Sequence, residues 1–118
     1  MIDINSFVTR RNLAKWASSK PLVRCLVVFG SYAKGTANSD SDIDIAVIVS
    51  ETGDASERLL EWMDNKPQWR NELCALLGFQ DVQLEKLCAE HSHVMQYVKE
   101  AHIVVYDPDN LIGRLVRV

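Results

Sequence analysis

Two short runs of β-branched and other apolar residues constrain the fold of this 118-residue chain most strongly. The first, residues 23–29 (VRCLVVF), stops at Gly30, and the second, residues 43–49 (IDIAVIV), follows a polar stretch rich in serine and aspartate. Runs of this length and composition predict buried β-strands. We therefore expect the core of the protein to be built on a sheet that contains both.

The regions around these two strands have mainly helical patterns. Apolar residues recur at helical spacing over residues 3–18, which predicts a leading helix with Asp3 as its N-cap. A helical pattern also fills the segment between Gly53 and Gly78. Pro67 interrupts this pattern, and because proline suits the first turn of a helix, we predict two helices here.

The last third of the chain repeats the alternation of strand and helix. Residues 79–84 predict a strand, residues 85–100 a helix and residues 102–106 a final strand. The closing segment, residues 111–118, fits a strand or a helix. The sum is a single α/β (α+β) domain over residues 1–118, with about four strands in a small mixed sheet flanked by helices.

Composition and charge indicate which kinds of partner and which cellular compartment we expect. The net charge of −3 gives no basic field that would draw the chain onto duplex nucleic acid. The longest apolar runs are strand-sized, so we expect no membrane anchor. Three widely spaced cysteines without a CxxC pair, and an N-terminus without an apolar signal core, favour reduced thiols and a cytoplasmic location.

The turn after the first strand has the features of a phosphate site. Gly30 and Ser31 are expected to open a short helix where the strand ends, so backbone N–H groups and the positive end of the helix dipole face the site. Gly30 permits a positive φ or a close approach of the backbone, and the Ser31 hydroxyl can donate to a phosphate oxygen. A simple turn explains a lone Gly-Ser pair equally well.

Two carboxylates begin the second strand. Asp42 and Asp44 are two residues apart, so their side chains project from the same face. Like charges held this close are unfavourable unless a cation lies between them, and hard oxygen ligands beside a phosphate site favour Mg²⁺. A solvated edge strand protected by charge is the alternative for an Asp-x-Asp pair alone. The ordered combination with the Gly-Ser turn favours the functional interpretation.

Gly30-Ser31, ten intervening residues and Asp42-x-Asp44 resemble the signature of the DNA polymerase β-like nucleotidyltransferase superfamily. The short length resembles its minimal nucleotidyltransferase (MNT) branch. The resemblance implies a third carboxylate on a later strand, and Asp81 in FQDVQL is the acidic residue that matches by position. The resemblance extends to the closing VVYDPDN, although the motifs there are less specific to the superfamily.

The resemblance also implies roles for these residues. Asp42, Asp44 and Asp81 would hold Mg²⁺ on the phosphates of an NTP, and Asp81 would help to take the proton of the acceptor hydroxyl. Gly30 and Ser31 would bind the β- and γ-phosphates. Lys34 would neutralise a phosphate oxygen, although a surface lysine explains it as well.

MNT proteins are commonly antitoxins that are encoded with a HEPN-domain toxin, and some adenylylate a tyrosine of that toxin. The resemblance therefore implies that the chain transfers AMP from ATP to a HEPN toxin. Two alternatives remain open. The chain could be a catalytically silent module that neutralises its partner by contact, or a nucleotidyltransferase that modifies a small molecule such as an aminoglycoside, with a homodimer completing the acceptor site.

Overall fold

The computed structural model describes residues 2–50, 52–78, 80–88 and 93–116. In chain order its elements are α1 (Phe7–Ser19), β1 (Val23–Phe29), α2 (Gly30–Lys34), β2 (Ile43–Val49), α3 (Ala55–Leu76), β3 (Val82–Lys86), α4 (His93–Glu100), β4 (His102–Tyr106) and α5 (Leu111–Leu115). The strands form one sheet in the order β3-β2-β1-β4. β1 is antiparallel to β2 and β4, whereas β2 and β3 are parallel. The predicted small mixed sheet flanked by helices is confirmed.

The two apolar runs form the central strands, with the bounds that the sequence predicts. β1 is buried on both of its faces, because Leu26 and Val28 belong to one core cluster and Val27 and Phe29 to another. Such a strand needs apolar side chains at successive positions rather than at alternate ones. Its continuous apolar sequence is therefore explained by helices on both sides of the sheet.

Helices cover the sheet in two layers. On one face α1 and α3 meet through the indole rings of Trp16 and Trp69, whose centroids are 6.0 Å apart in an edge-to-face arrangement. On the other face α4 and α5 bury Met95, Val98 and Ile112 against the sheet. Among the described residues, this second layer leaves one end of its face of the sheet open, and the candidate site lies at that opening.

Helix α1 begins at Phe7 rather than at residue 3. The Ser6 hydroxyl accepts a hydrogen bond from the backbone N–H of Thr9 at 3.5 Å, which makes Ser6 the N-cap. Asp3 instead accepts from the N–H of Asn5 at 3.0 Å, in the turn before the helix. The predicted cap at Asp3 is therefore wrong, since both residues are good caps and the local turn decides between them.

Helix α3 is one continuous helix of 22 residues, and the predicted break at Pro67 is wrong. It is capped by Asp54, whose carboxylate accepts from the N–H of Glu57 at 2.9 Å. Proline removes the hydrogen bond to the carbonyl four residues earlier. That carbonyl belongs to Met63, which is 58% exposed, so water can replace the lost donor. Burial of the C-terminal half of the helix keeps the helix intact across the proline.

Strand β3 runs from Val82 to Lys86, later than the predicted strand at residues 79–84. The parallel ladder with β2 pairs Glu85 with Ala46 and Lys86 with Val47, so two residues predicted as helical are extended. Helix α4 begins at His93; residues 89–92, which the prediction also made helical, and Phe79 lie outside the described part of the chain.

The three cysteines are free thiols. Cys25 is buried in β1, and this burial, with the nearby Asp107 carboxylate, raises the pKa of its thiol to about 12. A thiol with so high a pKa is a poor nucleophile at neutral pH. Among the described residues, no helix is both long enough and apolar enough to cross a membrane.

The continuity of α3 gives a direct prediction for Pro67→Ala. Proline in a helix interior costs about 3 kcal/mol relative to alanine, and the loss of its restriction on the unfolded chain offsets about 1 kcal/mol. We expect Pro67→Ala to raise the free energy of unfolding in urea by about 2 kcal/mol. Met63→Ala, on the exposed surface of the same helix, should change it by less than about 0.5 kcal/mol. An unchanged or lowered value for Pro67→Ala would show that the helix is interrupted there.

Candidate active site

The turn from β1 into α2 is built around Gly30. Phe29 is extended, and Gly30 has a φ of 69° as it starts the short helix that the sequence predicts. A Cβ atom at Gly30 would collide with the carboxylate of Asp44 and lie 3.0 Å from its carboxyl carbon. Glycine is therefore required twice, for its backbone conformation and for its close approach to Asp44.

Asp44 lies at the centre of this arrangement. It pairs with Phe29 of β1 and with Gln83 of β3, so strands on both sides fix its backbone. Burial raises the pKa of its carboxyl above the ordinary value of 3.8, and the negative charges of Asp42 and Glu85 raise it further. The expected convergence of Asp42 and Asp44 is thus visible as an electrostatic interaction. The Gln83 amide donates to Asp42 Oδ2 at 3.2 Å.

A cleft of about 630 Å³ opens beside Asp44. Its lining residues are Phe29, Gly30, Lys34, Asp44, Gln83, Glu85, His93, Val94 and Tyr97. Pockets of roughly 300–1,000 Å³ are typical of small-molecule sites in proteins. The cleft therefore has the size for a nucleotide, with an acidic end at the sheet and an aromatic wall on α4.

Three of the predicted site residues, Gly30, Lys34 and Asp44, line this cleft. Ser31 is half-buried in the first turn of α2 and lies outside the lining, as does Asp42. The Lys34 ammonium lies 3.5 Å from the Glu100 carboxylate, in an exposed ion pair that links α2 to α4. Exposed pairs of this kind are weak, so the lysine can exchange its partner for a phosphate.

Asp81 lies just before β3, and its backbone adjoins the site. The N–H of Ile43 donates to the Asp81 carbonyl at 2.9 Å, and Ile43 pairs with Val82, so continuing the parallel register sets Asp81 beside Asp42. The Asp81 carboxylate, however, is 73% exposed and lies 3.9 Å from the Arg70 guanidinium. The structure thus brings the Asp81 backbone to the site and leaves its carboxylate with Arg70.

Sequence reasoning missed Glu85, Gln83 and two residues on α4, His93 and Tyr97, which all border the cleft. The signal for the first two was present in VQLEK. Its alternating pattern places Gln83 and Glu85 on the face opposite the buried Val82 and Leu84, once the strand is given its correct bounds. No periodic signal distinguishes the residues of α4 that face the cleft.

The side chains at the acidic end suit a divalent cation. Asp42 and Asp44 supply hard oxygen ligands. Burial, and then the charges of Asp42 and Glu85, raise the pKa of Asp44, and a bound cation would offset both effects. Within the described ranges, no three His, Cys, Asp or Glu side chains converge closely enough to hold a metal ion. Two carboxylates therefore fit the ion, and the further ligands would come from phosphate oxygens, water or a repositioned carboxylate.

Comparison with known proteins agrees with this geometry. The family model described as polymerase beta, nucleotidyltransferase, matches residues 11–111, a range that includes β1, the Gly30 turn, Asp42, β2 with Asp44, and β3. No curated protein sequence matches the chain.

Several solved structures share the fold. A toxin-antitoxin crystal structure with AMP-PNP has a TM-score of 0.67 and 24% identity, over 91% of this chain and 80% of that one. The MntA-HepT toxin-antitoxin structure has a TM-score of 0.63 and 20% identity, over 94% and 80% of the two chains. A tri-AMPylated Shewanella oneidensis HEPN toxin in complex with MNT antitoxin gives 0.62 and 21%, over 92% and 78%. At these identities the likeness concerns the fold.

The close approach at Gly30 predicts different outcomes for two glycines of positive φ. Gly30→Ala and Gly35→Ala each place a Cβ on a left-handed backbone, which costs roughly 1–2 kcal/mol. At Gly35 nothing lies within 4 Å of the added atom, whereas at Gly30 it meets Asp44. In urea unfolding we expect Gly30→Ala to lose clearly more stability than Gly35→Ala. Equal losses would mean that Asp44 moves aside freely.

The environment of Asp44 predicts a pH-dependent stability. Because its folded-state pKa lies above the ordinary 3.8, the native protein binds more protons than the unfolded chain just above pH 3.8. The free energy of unfolding should therefore fall as pH rises through that interval. Asp44→Asn should remove this part of the profile and be more stable than the parent at pH 7 without divalent cations. Asp40→Asn, at an exposed site in the preceding loop, should keep the parent profile; an Asp44→Asn profile that matches the parent would contradict the argument.

Proposed function

Because the chain belongs to the polymerase beta nucleotidyltransferase family, we propose that it transfers AMP from ATP to a tyrosine hydroxyl of a HEPN toxin and thereby acts as an antitoxin. The chain is a nucleotidyltransferase by family, and members of this family generally use a divalent metal. Beyond the family assignment, the proposal specifies ATP as the nucleotide, Mg²⁺ as the metal and a tyrosine of a HEPN toxin as the acceptor. The observation that carries it is the contact of Gly30 with Asp44 at the mouth of a nucleotide-sized cleft.

The neighbouring structures support the choice of partner and nucleotide. One is a toxin-antitoxin with AMP-PNP, and another contains a HEPN toxin that carries AMP groups and is bound to an MNT antitoxin. These are properties of those proteins, and we extend them to this chain because the folds agree and because this chain has Asp42 and Asp44 beside the Gly30 turn. The three free cysteines fit the reducing cytoplasm, where ATP and Mg²⁺ are available.

The reaction is a displacement at the α-phosphorus of ATP. The tyrosine oxygen forms a bond to this phosphorus, the bond from the phosphorus to the bridging oxygen breaks, and pyrophosphate leaves. Mg²⁺ held by Asp42 and Asp44 would supply neutralisation of the phosphate charge. Gly30 and Ser31 bind the β- and γ-phosphates at the start of α2, and Lys34 binds one of their oxygens.

Asp81 is the proposed third carboxylate and accepts the proton of the tyrosine hydroxyl. Its backbone lies beside that of Asp42, and we propose that a change of side-chain rotamer would bring its carboxylate to the site. Its contact with Arg70 is long and exposed, and such pairs are typically worth less than about 1 kcal/mol. Binding of a divalent cation and ATP would then draw Asp81 away from Arg70.

The test is AMP transfer measured by intact-mass spectrometry. The protein is mixed with Mg-ATP and a candidate HEPN partner, and we expect the partner to gain the mass of one or more AMP units. Asn at Asp42, Asp44 or Asp81 should slow transfer by roughly 1,000-fold, because each loss removes several kcal/mol of transition-state stabilisation. Asp40→Asn should leave the rate unchanged.

Two outcomes would contradict parts of the proposal. If Asp81→Asn retains the parent rate, Asp81 has no role in transfer, and Glu85→Gln becomes the variant to measure next. If folded Asp42→Asn and Asp44→Asn variants still neutralise the toxin in cells, neutralisation occurs by contact and the chain acts as a binding module. Folding of each variant is checked by its urea unfolding curve.

A further inference from the structure

The wall of the cleft opposite the sheet is formed by α4. His93 and Tyr97 are four residues apart and so lie on one side of this helix, with Val94 beside them. Val94 is half-buried, whereas Tyr97 is 51% exposed although it lies in a cleft. The wall therefore offers an accessible aromatic ring next to an apolar surface.

This surface suits a flat heteroaromatic ring. Phe29 continues the apolar lining toward the sheet, so a ring entering the cleft would meet apolar side chains as well as the Tyr97 side chain. Stacking on aromatic side chains is a general way in which proteins hold nucleobases. Because every base has a π-face, such a wall binds a base without selecting its identity.

The aromatic wall and the phosphate end belong to the same cleft. Gly30, Lys34 and Asp44 line it at the sheet, and Tyr97 lines it on α4. The ion pair from Lys34 to Glu100 at 3.5 Å joins α2 to the same helix that carries Tyr97. A ligand with an anionic end and an aromatic end, joined by a short spacer, matches this layout.

We infer that His93, Val94 and Tyr97 form a nucleobase subsite, in which the base of the bound nucleoside triphosphate stacks on the Tyr97 ring. The inference rests on the proposed function, because it takes the ligand of the cleft to be a nucleotide. It assigns binding of the base to α4 and leaves binding of the phosphates to α2 and β2.

The test compares two ligands that differ in the base. Binding of Mg-ATP and of magnesium tripolyphosphate, which has no base, is measured by calorimetry for the parent protein, Tyr97→Ala and Tyr97→Phe. Tyr97→Ala should weaken ATP binding roughly 5- to 100-fold and leave tripolyphosphate binding unchanged. Tyr97→Phe keeps the ring and should bind ATP like the parent. Phe7→Ala removes an aromatic ring that is 75% exposed on α1 and serves as the matched control.

The possible failures are distinct. Equal weakening of ATP and tripolyphosphate by Tyr97→Ala would mean that the ring supports the structure of the cleft, which overturns the subsite. Unchanged ATP affinity with slower transfer would mean that Tyr97 contacts the acceptor, which also overturns it. If ATP binding depends on Tyr97 but no AMP reaches a HEPN tyrosine, the subsite stands and the proposed function fails.

Discussion

The approach of the Gly30 backbone to the Asp44 carboxylate is the contact on which the site depends. It exists because β1 and β2 are antiparallel neighbours whose register sets Phe29 opposite Asp44. Both strands are held by apolar side chains on two faces of the sheet, so the register is fixed by the core rather than by the site. A displacement of β2 by one residue would turn Asp44 into the core and bring an isoleucine to the cleft.

The sequence predicts the elements whose own residues determine them. β1 and β2 have the predicted bounds because all but one residue in each is apolar and because each strand ends at a glycine or a polar residue. α3 and β3 differ from prediction because tertiary contacts decide them. Packing holds α3 together through Pro67, and pairing with β2 keeps Glu85 and Lys86 extended where their sequence also fits a helix. Neither effect is encoded within a local window of sequence.

The same distinction applies to the site. The sequence predicts a Gly-Ser turn at the end of β1 and two aspartates at the start of β2, but the contact of Gly30 with Asp44 follows from the pairing register of the two strands. The orientation of the Asp81 carboxylate could not be predicted, because it depends on Arg70, which reaches β3 from α3 and also donates to the Val82 carbonyl at 2.9 Å. The position of Tyr97 in the cleft could not be predicted either, since it requires α4 to pack beside the open end of the sheet.

The core requires apolar side chains, whereas the site brings negative charges together. Asp44 is half-buried between the charges of Asp42 and Glu85, which disfavours its ionised form in the absence of a cation. The well-packed strands on either side hold the Asp44 backbone there despite the repulsion, so this residue cannot move away without loss of core contacts. A cation bound beside Asp44 would relieve this repulsion, and the protein would then be stabilised by its own ligand. Asp81 can respond differently, because its side chain is exposed and its bond to Arg70 is weak. In the proposed function, Asp42 and Asp44 would therefore hold the divalent cation, and the exposed Asp81 carboxylate would join them when substrate is present.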